Sequence, residues 1–384
     1  MKRLITIVLI CVMLSSCHAN SHGNTSPVTP PSESTGTLPT STSAATLPQK
    51  ALIDQILEEM TLEEKIGQLF LARCPKEDAA KAVMEYHLGG LTLYAQDFQD
   101  QTPDSAKTAI QSYQTAAKIS LFIAVDEEGG HVCRVSSNSA FRSEPFDYNR
   151  NLYALGGLEL IHTTEIEKSQ LLRSLGINVN LAPVCDITTD ENSYMYPRSL
   201  GQSPQITGEF IKTVISAQKN SGIGGVLKHF PGYGNNTDTH MGIAVDTRSL
   251  ETLEAYDLIP FSVGIQSGCD AIMVSHTFVN CLDSELPASL SPAVHRYMRD
   301  TMGFAGVIVT DDLSMKAITD LYGAVEAAVM ALECGNDLLC ATDFVTQYEA
   351  VLSAVKNGRV SEETVNAAVK RILLWKQSIG LIQS

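Results

Sequence analysis

The sequence predicts an α/β protein built as a single TIM-like (β/α)8 barrel, and three observations carry that prediction. Short, almost uninterrupted apolar runs recur through residues 49–384, as parallel strands buried on both faces require. Amphipathic stretches of helical period separate them, and about eight such repeats favour closure into a barrel. Polar, reactive residues stand at the ends of four of these runs, Asp126-Glu127-Glu128 at one, Lys228-His229 at another, His276 at a third and Asp311-Asp312 at a fourth, where a barrel collects its loops into one mouth.

In chain order the candidate strands are Gly89–Tyr94, Leu121–Val125, Ile177–Ala182, Gly224–Lys228, Ala271–Ser275, Gly306–Thr310 and Asp337–Cys340, with Ile66–Ala72 as a further candidate element. Helical patterns lie between them at Gln101–Ala117, Leu158–Leu175, Ser203–Ser221 and Pro292–Met302. The main rival is a doubly wound open sheet, which would carry a Gly-rich dinucleotide turn after its first strand. No such turn is present in the sequence.

The first 48 residues have a different composition. Lys2 and Arg3 precede a charge-free, mostly apolar run from Leu4 to Leu14, too short to cross a bilayer core of about 30 Å as a helix but suited to a secretory signal. Leu14-Ser15-Ser16-Cys17 resembles the bacterial lipobox, so residues 1–16 are expected to be a signal peptide and Cys17 the lipidation site. Residues 18–48 hold thirteen Ser/Thr and five Pro, no aromatic residue and one acid, Glu33. Such a segment buries too little apolar surface to offset its ordering entropy. Residues 17–48 are therefore expected to form a flexible tether with a reach on the order of 30 Å, leaving 49–384 as the barrel. A lipid-anchored position in the bacterial cell envelope, outside the cytoplasm, follows as an expectation.

The 384 residues carry 27 Lys+Arg against 43 Asp+Glu, a formal charge of −16 that becomes −18 when Lys2 and Arg3 leave with the signal. A surface that acidic repels phosphate backbones, so nucleic acid is excluded as a partner. After Cys11 and Cys17 are set aside, seven cysteines remain, an odd and scattered number that argues against a disulfide framework. A pair between Cys334 and Cys340 is conceivable, but small buried hydrophobes are the better reading. No CxxC or HxxxH pattern points to a metal; neither metal nor cofactor is expected.

Two stretches carry candidate chemistry. Gly306–Thr310 runs directly into Asp311 and Asp312; adjacent side chains at a strand end diverge, so one is expected to face the barrel axis. We assign Asp311 to the site and Asp312 to supporting it or capping the next helix. Lys228–Gly234 (KHFPGYG) leads through Asn235–Thr237 to Asp238-Thr239-His240, a loop in which Asp238 can fix the tautomer of His240 for acid–base work. A D-x-H spacing alone is common and weak.

Taken together, Asp126–Gly130, Lys228–Gly234 with Asp238–His240, and Asp311–Met315 resemble glycoside hydrolase family 3, in particular its β-N-acetylhexosaminidases. Glu59–Gln68, Leu181–Val184, Tyr196–Gly201 and Pro287–Ser291 also resemble family segments, and the likeness runs over roughly residues 50–384. The resemblance implies a TIM-like barrel with Asp311 as nucleophile, His240 as acid/base and Asp238 as its partner. It further implies that Asp126, Arg134, Arg198, Lys228 and His229 bind the sugar. Tyr233 stands where the family usually has His, His131 where it usually has Arg, and the stretch from Gly234 to Asp238 is slightly short.

The implied reaction is a retaining release of terminal non-reducing β-N-acetylglucosamine from peptidoglycan fragments or chitooligosaccharides, through a glycosyl-enzyme on Asp311, by a monomer without cofactor. Phosphorolysis is the alternative, because neutral imidazole does not repel an anionic acceptor. A β-glucosidase is disfavoured, since no second α/β domain is expected after Ser384. A glycan-binding lipoprotein without turnover is disfavoured by the intact Asp311, Asp238 and His240.

Overall fold

The computed structural model describes residues 49–234, 236, 239 and 242–383. The signal, Cys17 and the tether lie outside the described residues, as do Asp238 and His240. Eight parallel strands form the barrel: β1 (Phe70–Arg73), β2 (Gly90–Thr92), β3 (Phe122–Val125), β4 (Val179–Asn180), β5 (Gly224–Phe230), β6 (Ala271–Val274), β7 (Val307–Thr310) and β8 (Leu339–Ala341). Ladders join β1 through β7 in sequence and β8 to β1. The ring closes where Val309 bridges Leu338.

Each predicted strand overlaps an observed one, with β5 running on past Lys228 to Phe230 and β8 past Cys340 to Ala341. Phe122–Val125 is wholly buried, because the barrel interior covers one face and the helical shell the other, and this explains why polar residues do not alternate along it. The difference lies at Ile66–Ala72, whose first residues are helical. Thr61 caps Leu62–Gln68 with a reciprocal box: its hydroxyl accepts from Glu64 N at 3.2 Å while the Glu64 carboxylate accepts from Thr61 N at 2.9 Å. Those bonds satisfy amides that the start of a helix leaves open, and the helix they begin runs through Ile66 to Gln68.

The predicted helices match in the same way. Thr102 and Ser203 cap Pro103–Ala116 and Pro204–Asn220, each with proline in its first turn. Asn149–Leu175 begins earlier than Leu158 because Gly156 and Gly157 take non-helical torsions and kink it, which interrupts the apolar period. Pro292–Arg296 continues into a π-helical turn at Tyr297–Thr301. The connections after β5 and β6 meet in a small sheet of Val245–Asp246, Phe278–Val279 and Asp283–Pro287. All seven described cysteines are free thiols, five of them buried, so Cys334 and Cys340 do not pair.

At the end of the barrel where the strands begin, Lys376 of the last helix, Glu362–Ser378, is fully buried. Its ammonium donates to Gln68 Oε1 at 2.7 Å and lies 5.1 Å from the Phe122 ring centre. Burial without an opposing charge lowers its pKa to about 7. The unfolded chain, with a lysine near 10.5, binds more protons than the folded one between these values. Stability from this group therefore rises with pH above 7, by up to about 1.4 kcal/mol per unit. Urea unfolding at pH 7 and pH 9 should show wild type gaining relative to Lys376→Met; a constant difference between the two would refute the linkage.

Candidate active site

At the opposite end, where the strands finish, the loops enclose a cavity of about 690 Å³. Asp126, Arg134, Arg198, Lys228, His229 and Asp311 all line it, so six of the eight residues singled out for chemistry or sugar binding converge. Asp238 and His240 lie outside the described residues; Tyr233, upstream of them in the chain, lines the cavity.

Three consecutive carboxylates follow β3, and the structure divides their tasks. Asp126 faces the cavity. Glu127 turns away and organises the following loop, accepting from the amides of Arg134, Val135 and Ser136 at 2.8, 2.8 and 3.1 Å and from the Ser136 hydroxyl. Asn180, at the end of β4, holds the Glu127 main chain by bonds of 3.0 Å to both its N and its O. Glu128 is buried and paired with two cations, Lys228 at 2.7 Å and Arg198 at 2.7 Å.

Lys228 projects from β5 and its ammonium is shared between Asp126 (2.6 Å) and Glu128 (2.7 Å). Burial alone would lower its pKa, but the two carboxylates outweigh it and raise the value above the ordinary lysine range. For Glu128, burial pushes upward most strongly, yet Arg198 and Lys228 together hold the carboxyl well below its usual range. Arg134 stands 3.6 Å from Asp126, and its guanidinium lies over the Tyr94 ring, as does that of Arg73. The cavity wall is thus charged, and its Lys228–Asp126–Glu128–Arg198 members are already paired, with Lys228 and Glu128 buried.

His229 is held from both sides. Asp186 only accepts, so Nδ1 carries the hydrogen of the 2.8 Å bond between them; Arg198 only donates, so Nε2 accepts from it at 3.3 Å. Asp186 also accepts from the amides of His229 (3.0 Å) and Tyr233 (2.7 Å). Arg198 reaches Tyr194 Oη at 2.6 Å. Gly232 and Gly234 allow this loop to turn: both have positive φ, and a Cβ would lie 2.9 Å from Asp257 Cβ and 2.6 Å from Arg248 Nη2 respectively.

Asp311 leaves β7 with its amide bonded to Val274 O and its Oδ1 accepting from Asp312 N at 2.9 Å. Asp312 also borders the cavity but is engaged by Ser314 N and by the Thr342 hydroxyl at 2.6 Å. It supports Asp311 and does not cap the next helix, whose N-terminal cap position is Met315. His276, whose strand-end position suggested the mouth, is instead fully buried and meets the Asp312 carbonyl at 2.9 Å. Among the described residues no cluster of His, Cys, Asp or Glu could hold a metal ion.

Sequence reasoning left Glu128, Asp186 and Tyr194 unassigned. The signal for Glu128 was the run of three acids at a strand end, and Asp186 sits just beyond the Leu181–Val184 segment. Neither position showed which acid faces a cation.

With this geometry in place, comparison with known proteins is decisive for the family. The model of the glycosyl hydrolase family 3 N-terminal domain matches residues 61–374. The chain belongs to glycosyl hydrolase family 3. Among its family 3 relatives, the beta-hexosaminidase of Xylella fastidiosa (strain M23) is 31% identical over 296 residues, covering 75% of this chain and 86% of that one. Beta-hexosaminidase LpqI of Mycobacterium tuberculosis is 29% identical over 97% of both chains. A family 3 β-N-acetylglucosaminidase from Paenibacillus sp. str. FPU-7 superposes with a TM-score of 0.79 at 31% identity, over 85% of this chain and 64% of its own; the structure of LpqI gives 0.77 at 27% identity, over 84% and 96%.

Removing the central carboxylate should expose its worth. Glu128→Ala leaves Lys228 short of one partner and Arg198 without its carboxylate, and should cost about 3–5 kcal/mol in urea unfolding at pH 7. The charge is tested by Glu128→Gln: because the folded carboxyl is depressed from 4.5, the wild-type advantage is complete above that pH and shrinks steadily below it. An advantage that stays level from pH 6 to pH 3 would contradict the ion-pair account.

Proposed function

We propose that this protein is a retaining β-N-acetylhexosaminidase that releases terminal β-linked N-acetylglucosamine, with peptidoglycan fragments or chitooligosaccharides as its substrates. The observation that carries the reading is the single cavity in which Asp311 stands at the end of β7 facing the Lys228–Asp126–Glu128–Arg198 cluster. Family membership and the beta-hexosaminidase names of its relatives support the same substrate class.

In this reading the charged wall takes the sugar hydroxyls. Asp126, Arg134, Arg198, Lys228 and His229 form the sugar-binding wall, whose acceptors and donors are set in place by the ion pairs before substrate arrives, so little reorganisation is needed on binding. The Asp311 carboxylate attacks the anomeric carbon as the bond to the leaving oxygen breaks, and His240 donates its proton to that oxygen. The glycosyl ester on Asp311 is then opened by water, whose proton returns to His240. Asp238 orients the imidazole. Cys17 anchors the enzyme by lipid at the envelope, and residues 18–48 let the barrel reach its glycan.

A 2-fluoro sugar with a good leaving group should leave a covalent adduct on Asp311, read by peptide mass spectrometry, and Asp311→Ala should abolish trapping and lower turnover by orders of magnitude. Wild-type turnover with no adduct at Asp311 would overturn the mechanism. Nitrophenyl β-N-acetylglucosaminide should be cleaved far faster than the matching glucoside; equal rates would remove the substrate assignment. Adding inorganic phosphate should leave the initial rate unchanged, and appearance of a sugar 1-phosphate would replace hydrolysis with phosphorolysis.

A further inference from the structure

Tyr233 stands where the family resemblance leads one to expect histidine, and its surroundings give the exchange a purpose. Asp186 clamps its amide at 2.7 Å. The ring packs nearly perpendicular to His229, with centroids 5.2 Å apart, and edgewise on Tyr194 at 6.2 Å. The phenol oxygen, carried past the ring and farther from the main chain than any imidazole nitrogen, meets Thr239 Oγ1 in a short hydrogen bond. Tyr233 is 1% exposed and Thr239 not at all. Burial first, then the negative charge of Asp311, keeps the phenol protonated far above neutral pH.

Thr239 is the residue between Asp238 and His240. Consecutive Cα atoms are about 3.8 Å apart, so holding Thr239 restrains the main chain from which both side chains leave. We propose that the Tyr233–Thr239 hydroxyl pair is a positioning device for the Asp238–His240 acid/base pair, an inference that rests on the role given to His240 above.

The need for such a device is physical. Gly234 adds conformational freedom inside the loop, and each residue fixed in one backbone well costs about 1–2 kcal/mol. A general acid has to stand within hydrogen-bond reach of the leaving oxygen. A side-chain bond that spans the loop supplies part of that order locally, and Asp186 ties its fixed end to the same carboxylate that orients His229. Sugar contact and proton delivery thereby share one support.

The experiment is a leaving-group series on the full chain, using aryl β-N-acetylglucosaminides whose phenols differ in acidity. Tyr233→Phe keeps the ring and its packing; Thr239→Val keeps the volume; Thr239→Ser keeps the hydroxyl. Weakened protonation should lower kcat/KM for the most basic leaving phenol by about ten- to a hundredfold in Tyr233→Phe and Thr239→Val, and by less than about twofold for dinitrophenol, which departs unaided. Thr239→Ser should stay near wild type, and the double variant should be no worse than either single one. A loss equal across all leaving groups, no loss, or additive losses would overturn the proposal. His240→Ala serves as the reference: if it lacks the leaving-group dependence, the acid/base reading fails and this inference with it, whereas dependence in His240→Ala alone fails only the inference.

Discussion

A buried lysine that is to keep its proton needs negative charge around it, and that constraint on Lys228 organises the mouth of the barrel. Asp126 and Glu128 both turn toward it from the end of β3. Two carboxylates close to one cation would repel each other, and Arg198 answers the second of them. Arg198 then fixes the acceptor nitrogen of His229, whose other nitrogen belongs to Asp186. One buried charge thus links β3, β5 and the loop after β4.

That linkage separates two kinds of order. The cradle is rigid because removing any member strands a charge in a poorly solvated place. Asp311, by contrast, has its amide bonded to Val274 O and its Oδ1 accepting from Asp312 N. Its position at the end of β7, lining the cavity, suits the nucleophilic role proposed for it.

The barrel was legible because its signals are local: unbroken apolar runs, glycines and caps repeat at intervals that admit few topologies. Asp311, Lys228 and Asp126 were legible for the same reason, each ending a strand. Ile66–Gln68 misled because an apolar run this short does not distinguish the last turn of a helix from the start of a strand; the capping box at Thr61 decides it. His276 misled because strand-end position does not say which way a ring turns, and the Asp312 carbonyl claimed it. Glu128 and Asp186 were hidden more deeply. Their importance comes from partners 70 and 43 positions away along the chain, and a single sequence does not record such pairings.

The closure of the barrel has its own consequence. At most seams of the ring, neighbouring strands exchange main-chain bonds that are indifferent to side-chain identity, although Asn178 and Asn180 reach the main chain of Leu121, Ile123 and Glu127 beside β3. Between β7 and β8, side chains enter the pairing: Ile308 N donates to Asp337 Oδ2 and Cys340 N to Thr310 Oγ1. Asp337 is in turn gripped by Arg299 and Arg371 from outside the ring. The backbone pairing of this joint is therefore encoded in part residue by residue, and it lies directly under Asp311. Sequence drift at this seam is felt by the strand that presents the carboxylate.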